Sequence, residues 1–153
     1  MQATFRALVC LALAVAIGAP AHAEDKDPLD GLKCFMMKKK DVKGKKVVDY
    51  KEGKLYLCCS TCVKRMDKYP EKYEALANHQ LVVTKQYKQG ACPITGKDVD
   101  ASAKLTIGGV EVHFADAATA AKVKGMDEDD QVTAAFGKDG FKAGKFALIK
   151  EKK

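Results

Sequence analysis

The sequence predicts an α+β chain of two small modules in tandem, each a β-hairpin followed by a helix. Three observations predict it. Residues 46–50 and 54–57 are β-prone, rich in Val, Leu and Tyr, and Glu52-Gly53 between them supplies a hairpin turn. Val63, Met66, Tyr69, Tyr73 and Leu76 then recur at three- and four-residue steps, as along one face of a helix. The same order of signals returns further on, which is the signature of an internal repeat.

In chain order, residues 1–23 read as a secretory signal. Arg6 is the only charge, an apolar run covers 7–19, and Ala21-His22-Ala23 forms an A-x-A cleavage site. The run is short for a membrane span. Export to the periplasm or beyond, with cleavage after Ala23 and no stable membrane insertion afterwards, is expected; a retained N-terminal anchor is the alternative. Cys10 is a poor lipoprotein cysteine, because Val9 precedes it where a small residue is needed. Residues 24–31 are polar and broken by Pro28 and Gly31, a leader rather than an element, and residues 150–153 read as a frayed tail.

Charge excludes little. The formal net charge is +7, spread along the chain, with one denser run over 38–46. That run is either a patch for anionic partners or a solvated turn, and the turn is the simpler account. Nucleic acid is not an expected partner: an exported chain meets little of it, and no aromatic residues interleave the lysines as in single-strand binders.

Chemistry concentrates in the cysteines. After the signal, Cys34, Cys58, Cys59, Cys62 and Cys92 remain, an odd number that leaves at least one thiol outside any intramolecular disulfide. Cys59-Ser60-Thr61-Cys62 is a C-x-x-C unit at a strand-to-helix turn, where both sulfurs can aim at one point. The hairpin brings Cys34, before its first strand, back to that turn. Cys34, Cys59 and Cys62 are the candidate ligands. Cys58 is either the fourth or, by strand alternation, faces the other way. Ser60 or Thr61 is expected to cap the helix, placing Cys62 in its first turn, where unpaired N–H groups favour thiolate. Pro70 breaks or restarts that helix.

Other residues have two readings. Met36 and Met37, as thioethers, suit Cu(I) or simply fill gaps in a small core. His113 is either a ligand with Cys92 or a half-exposed strand histidine, and His79 is expected to cap the last carbonyls of its helix. Cys92 is a buried relic, a disulfide partner for Cys34, or half of an intermolecular bridge. Residues 115–124 are expected to be helical with Asp116 as N-cap. Asp127-Glu128-Asp129-Asp130 opens a second helix to about Phe136, its acids complementing the dipole rather than holding calcium. Gly137, Gly140 and Gly144 mark loops, and 146–149 a last strand.

The repeat aligns residues 34–42 with 92–99, each running from a cysteine to Asp-Val, and Leu57 with Phe114. Cys58-Cys59-Ser60-Thr61-Cys62 becomes Ala115-Asp116-Ala117-Ala118-Thr119 in the second copy. Gly53-Lys54-Leu55-Tyr56-Leu57-Cys58-Cys59-Ser60-Thr61-Cys62, with Tyr69-Pro70-Glu71-Lys72-Tyr73, resembles the TRASH/YHS-type metal-binding module. Cys92-Pro93-Ile94-Thr95-Gly96-Lys97 resembles the start of the same module. The resemblance implies treble-clef-like or ribbon-like units over 32–88 and, degenerate, 89–149. It implies one site for Zn or Cu(I), held by Cys34, Cys59 and Cys62 with Cys58 adjacent, in heavy-metal sequestration, trafficking or resistance. Phe35 stands where that family commonly has proline.

No Ser/His/Asp arrangement, phosphate-cradling glycine loop or carboxylate pair points to an enzyme. The alternatives to metal binding are a disulfide-stapled interaction module and a thiol-disulfide redox protein. The second lacks the βαβ setting of thioredoxin-like folds.

Overall fold

A computed structural model describes residues 29–150. The expected signal segment with Cys10, residues 24–28 of the leader and residues 151–153 of the tail lie outside them. The described residues form β1 (Lys33–Cys34), β2 (Met37–Asp41), β3 (Val47–Tyr50), β4 (Gly53–Tyr56) and α1 (Ser60–Lys68). A 3-10 turn, Glu71–Tyr73, leads into α2 (Glu74–Val83) and β5 (Tyr87–Lys88). Then come β6 (Asp100–Ile107), β7 (Val110–Phe114), α3 (Ala117–Lys124), α4 (Glu128–Phe136), α5 (Lys138–Ala143) and β8 (Ala147–Leu148). The strands pair only in antiparallel twos: β1 with β2, β3 with β4, β5 with β8, and β6 with β7.

The β3–β4 hairpin turns one residue earlier than its sequence suggests. Tyr50 faces Gly53, so Lys51 and Glu52 make the turn, with Lys51 at φ 53°. Gly53 is needed inside the strand instead. A side chain there would meet Gln86 Oε1 and Leu81 Cδ2 at 2.8 Å, so only glycine lets β4 lie this close to the end of α2. The second hairpin follows the usual chemistry, with Gly108 at φ 55° and Gly109 at φ 84° between Ile107 and Val110.

The lysine run over 38–46 divides: its second half is the expected exposed turn, closed by Lys46 N–H donating to Lys43 O at 2.8 Å, and its first half is strand. Residues 37–41 form β2, exposed along its whole length because its partner β1 is only two residues long. At the ends of the helices two expectations are corrected, at Cys59 and at Gly137 and Gly144, and the Asp caps hold. Cys59, not Ser60 or Thr61, is the N-cap of α1. Asp116 and Asp127 cap α3 and α4 by accepting from the N–H groups of Thr119 and Asp130. Gly137 and Gly144 bound a short helix, α5, rather than loops.

Two apolar clusters are buried. The first gathers Cys34, Leu55, Leu57, Cys58, Cys62, Met66, Ala77, Leu81, Tyr87 and Phe141. The second gathers Cys92, Ala103, Ile107, Val112, Phe114, Val123, Ala135 and Phe136. Val82 and Phe146 pack against both. No helix among the described residues is long and apolar enough to cross a membrane.

Candidate metal centre

The site is built from two short pieces of backbone. At the first, Cys34 pairs with Met37 across the β1–β2 ladder, so the chain reverses over Phe35 and Met36 directly after the cysteine. The reversal turns the N–H groups of Met36 and Met37 onto the Cys34 sulfur, and the N–H of Cys58 joins them.

At the second piece, β4 ends at Tyr56; Leu57 still keeps the inward phase of Gly53 and Leu55, and the alternation breaks at Cys58. Leu57 and Cys58 both turn inward and are buried. The stretch is pinned by Lys43 N–H donating to Leu57 O at 3.0 Å and Leu57 N–H donating to Lys46 O at 2.8 Å. Cys59 then adopts extended backbone, φ −159° and ψ 165°, and starts α1 without a side-chain cap bond. One turn on, Cys62 points back into the first cluster.

The Sγ atoms of Cys34, Cys58 and Cys62 all lie within 4.8 Å of one another, and all three residues are buried. The Cys58–Cys62 separation is 3.7 Å. Cys59 is partly exposed and lies outside this mutual set, yet its Sγ is 3.6 Å from that of Cys62. The structure thus brings together Cys34, Cys58 and Cys62 and leaves Cys59 at the rim. The spacing alone leaves Cys58 open and puts Cys59 among the ligands; the break in alternation at Cys58 reverses their places. All five described cysteines are free thiols, so Cys92 does not bridge to Cys34.

The electrostatics of the trio favour a cation. Burial works against ionisation of Cys34, but the three N–H donors outweigh it and hold the thiol below its ordinary value. At Cys58 burial prevails, reinforced by the Cys34 side chain, and the thiol is pushed up. Cys62 is pushed up more strongly, by burial first and then by the Cys59 and Cys58 thiols. At Cys59 the Cys62 N–H and then the Cys62 thiol bring the value down to about 7. Adjacent sulfur anions repel, so the trio ionises fully only when a positive ion sits among them. Three soft sulfurs in an apolar setting suit a soft ion such as Zn or Cu(I). A cleft of about 520 Å³, lined in part by Cys34, Phe35, His79, Gln80 and Val132, reaches the Cys34 side of the cluster.

The other candidates lie elsewhere. Met36 is half-buried against the first cluster and Met37 is exposed. His79 does not cap α2: it lies within the helix, and its Nε2 is 3.0 Å from Gly108 O on the β6–β7 turn. His113 Nε2 lies 3.3 Å from Glu111 Oε1, and its buried Nδ1 has no partner. Cys92 sits in a copy of the Cys34 cradle. Burial opposes its ionisation, while the Thr95 side chain and the N–H groups of Ile94, Thr95 and Ala115 lower its pKa. Ile94, Thr95 and Ala115 are the repeat positions of Met36, Met37 and Cys58. Asp116, at the position of Cys59, has nearly the same backbone, φ −161° and ψ 164°. The cradle persists in the second half, but among the described residues no group of three ligand-type side chains forms around Cys92.

The chain matches no protein-family model, no curated protein and no solved structure.

Proposed function

We propose that this chain is an exported protein that binds one soft heavy-metal ion, copper(I) or zinc, through Cys34, Cys58 and Cys62, with Cys59 at the rim outside the ligand set. Its task is sequestration, trafficking or resistance rather than catalysis. The observation that carries the reading is the convergence of three buried free thiols, from two distant parts of the chain, within 4.8 Å. Structural zinc sites use thiolates about 2.3 Å from the ion, so sulfurs this close need little movement to reach it.

On this reading the chain carries two treble-clef-like modules of TRASH/YHS type over 32–88 and 89–149, the second degenerate. Supporting that view are the paired N–H cradles of Cys34 and Cys92 and the matching helix starts at Cys59 and Asp116. The test is elemental analysis with native mass spectrometry on purified protein and on a Cys58→Ser/Cys62→Ser variant. One metal per wild-type chain and none in the variant is expected. Equal metal content in both would remove the site.

A further inference from the structure

Cys62 stands in two sulfur sets at once. It closes the buried trio with Cys34 and Cys58, all within 4.8 Å. It is also the second cysteine of Cys59-Ser60-Thr61-Cys62, its Sγ 3.6 Å from that of Cys59. The two sets exclude each other, because a sulfur bonded to sulfur has no thiolate to give a metal. Exposure separates them as well. Cys34, Cys58 and Cys62 are 0%, 4% and 2% exposed, whereas Cys59 is partly exposed and Ser60 and Thr61 beside it are exposed. A disulfide arriving from solvent meets Cys59 first. A competing Cys58–Cys62 bridge, with sulfurs 3.7 Å apart, would require the oxidant to reach the buried pair.

We infer that the metal site is gated by thiol–disulfide exchange: an exogenous disulfide, RS–SR, links Cys59 to Cys62 and thereby releases the ion. This rests on the metal-binding reading above. The chemistry is two successive exchanges. Cys59 Sγ attacks one sulfur of RS–SR, forming a mixed disulfide as the RS–SR bond breaks and one RS⁻ leaves. Cys62 Sγ then leaves the metal and attacks Cys59 Sγ, forming the Cys59–Cys62 bond as the mixed disulfide breaks and the second RS⁻ leaves. The two protein thiolates together lose two electrons, the incoming disulfide gains two, and the metal departs with its oxidation state unchanged. Cys34 and Cys58 remain as two thiolates, one fewer than the trio that held the ion, and zinc, which takes four ligands in structural sites, is released.

The test uses the purified chain loaded with Zn²⁺ alone, since zinc has no redox chemistry and its release reports on the sulfurs. Glutathione disulfide is added in excess, zinc release is followed with a chromogenic chelator, and the disulfide is mapped by peptide mass spectrometry. One zinc freed per Cys59–Cys62 disulfide, with rebinding after dithiothreitol, is expected. Cys59→Ser should load zinc but release it at least about tenfold more slowly, because the attacking thiolate is gone; serine is a good N-cap, so α1 keeps its start. Cys92→Ser should release zinc as the wild type does. Release from Cys59→Ser at the wild-type rate, a disulfide joining other cysteines, or zinc retained after Cys59–Cys62 forms would each overturn the gate. A wild-type chain that takes up no zinc overturns the zinc reading and the gate with it, whereas one that loads zinc and keeps it under glutathione disulfide overturns the gate alone.

Discussion

Cys58 and Cys59 are neighbours in sequence with opposite surroundings: one is buried against Cys34 and Cys62, the other begins a helix at the surface. Their substitutions should therefore differ. Cys58→Ser removes a member of the trio and should abolish stoichiometric metal binding, whereas Cys59→Ser should keep it; metal content per chain after desalting reads this directly. The two rim-to-core thiols differ in titration too. In metal-free protein the Cys59 thiolate fraction grows as pH rises through about 7, so its alkylation by iodoacetamide should climb through that range and level off above it. Cys62, pushed up by burial, should stay unlabelled over the same range. Peptide mass spectrometry across a pH series checks both, and equal labelling of the two would contradict this arrangement. The sequence made the C-C-x-x-C turn and Cys34 visible as candidates because their spacing around a hairpin is local. It did not reveal the role of Cys58, since that depends on where one ladder ends.

Two-stranded ladders are marginal alone, and each leaves an edge of unpaired backbone groups. Glutamine side chains occupy those edges here. Gln80 accepts from Tyr56 N–H at 2.8 Å and donates to Tyr56 O at 2.9 Å. Gln86 does the same to Lys54, both bonds at 2.7 Å, and Gln89 to His113 on β7. Each primary amide acts as one residue of a missing third strand. Gln80 is buried, so Gln80→Ala strands two backbone groups of β4 and should cost roughly 1–3 kcal/mol in urea unfolding. Gln86 brackets a more exposed edge, and Gln86→Ala should cost less; the reverse order would show that water satisfies β4 equally well at both places. The hairpins and helices were legible in the sequence through alternation, Gly-Gly and Asp caps. The glutamine brackets were not, because a side chain imitating a strand has no periodicity. The one-residue error at Lys51-Glu52 has a similar cause: Gly53 looked like a turn residue but is required by contact with Leu81 and Gln86.

At the scale of the whole molecule, two modules in sequence need not mean two independent folding units. Among the described residues β5, at the end of the first half, pairs only with β8 at the end of the second, with Tyr87 facing Leu148. Phe141 from α5 belongs to the first buried cluster, stacked on Phe146 at 4.8 Å and next to Tyr87 at 5.6 Å. Phe146 meets Phe136 at 5.7 Å and Phe136 meets His79 at 5.0 Å, so one run of rings joins the two clusters. Asn78 Nδ2 also donates across α2 and α4 to Phe136 O at 2.8 Å. The sequence hid this because the pairing residues lie far apart and the glycine-punctuated stretch 137–144 shows no helical period. The buried cluster that contains the three cysteines therefore includes a ring from the half of the chain that supplies none of them. Phe141→Ala, distant in sequence from every cysteine of the trio, should cost about 3–5 kcal/mol by leaving a cavity among aromatic rings. On the proposed function zinc binds the folded state in preference to the unfolded chain, so loading should raise the unfolding midpoint of both wild type and variant and leave each with a single transition. Two transitions in a thermal scan, with zinc moving only one of them, would mean that the halves fold separately and that the shared core does not couple them.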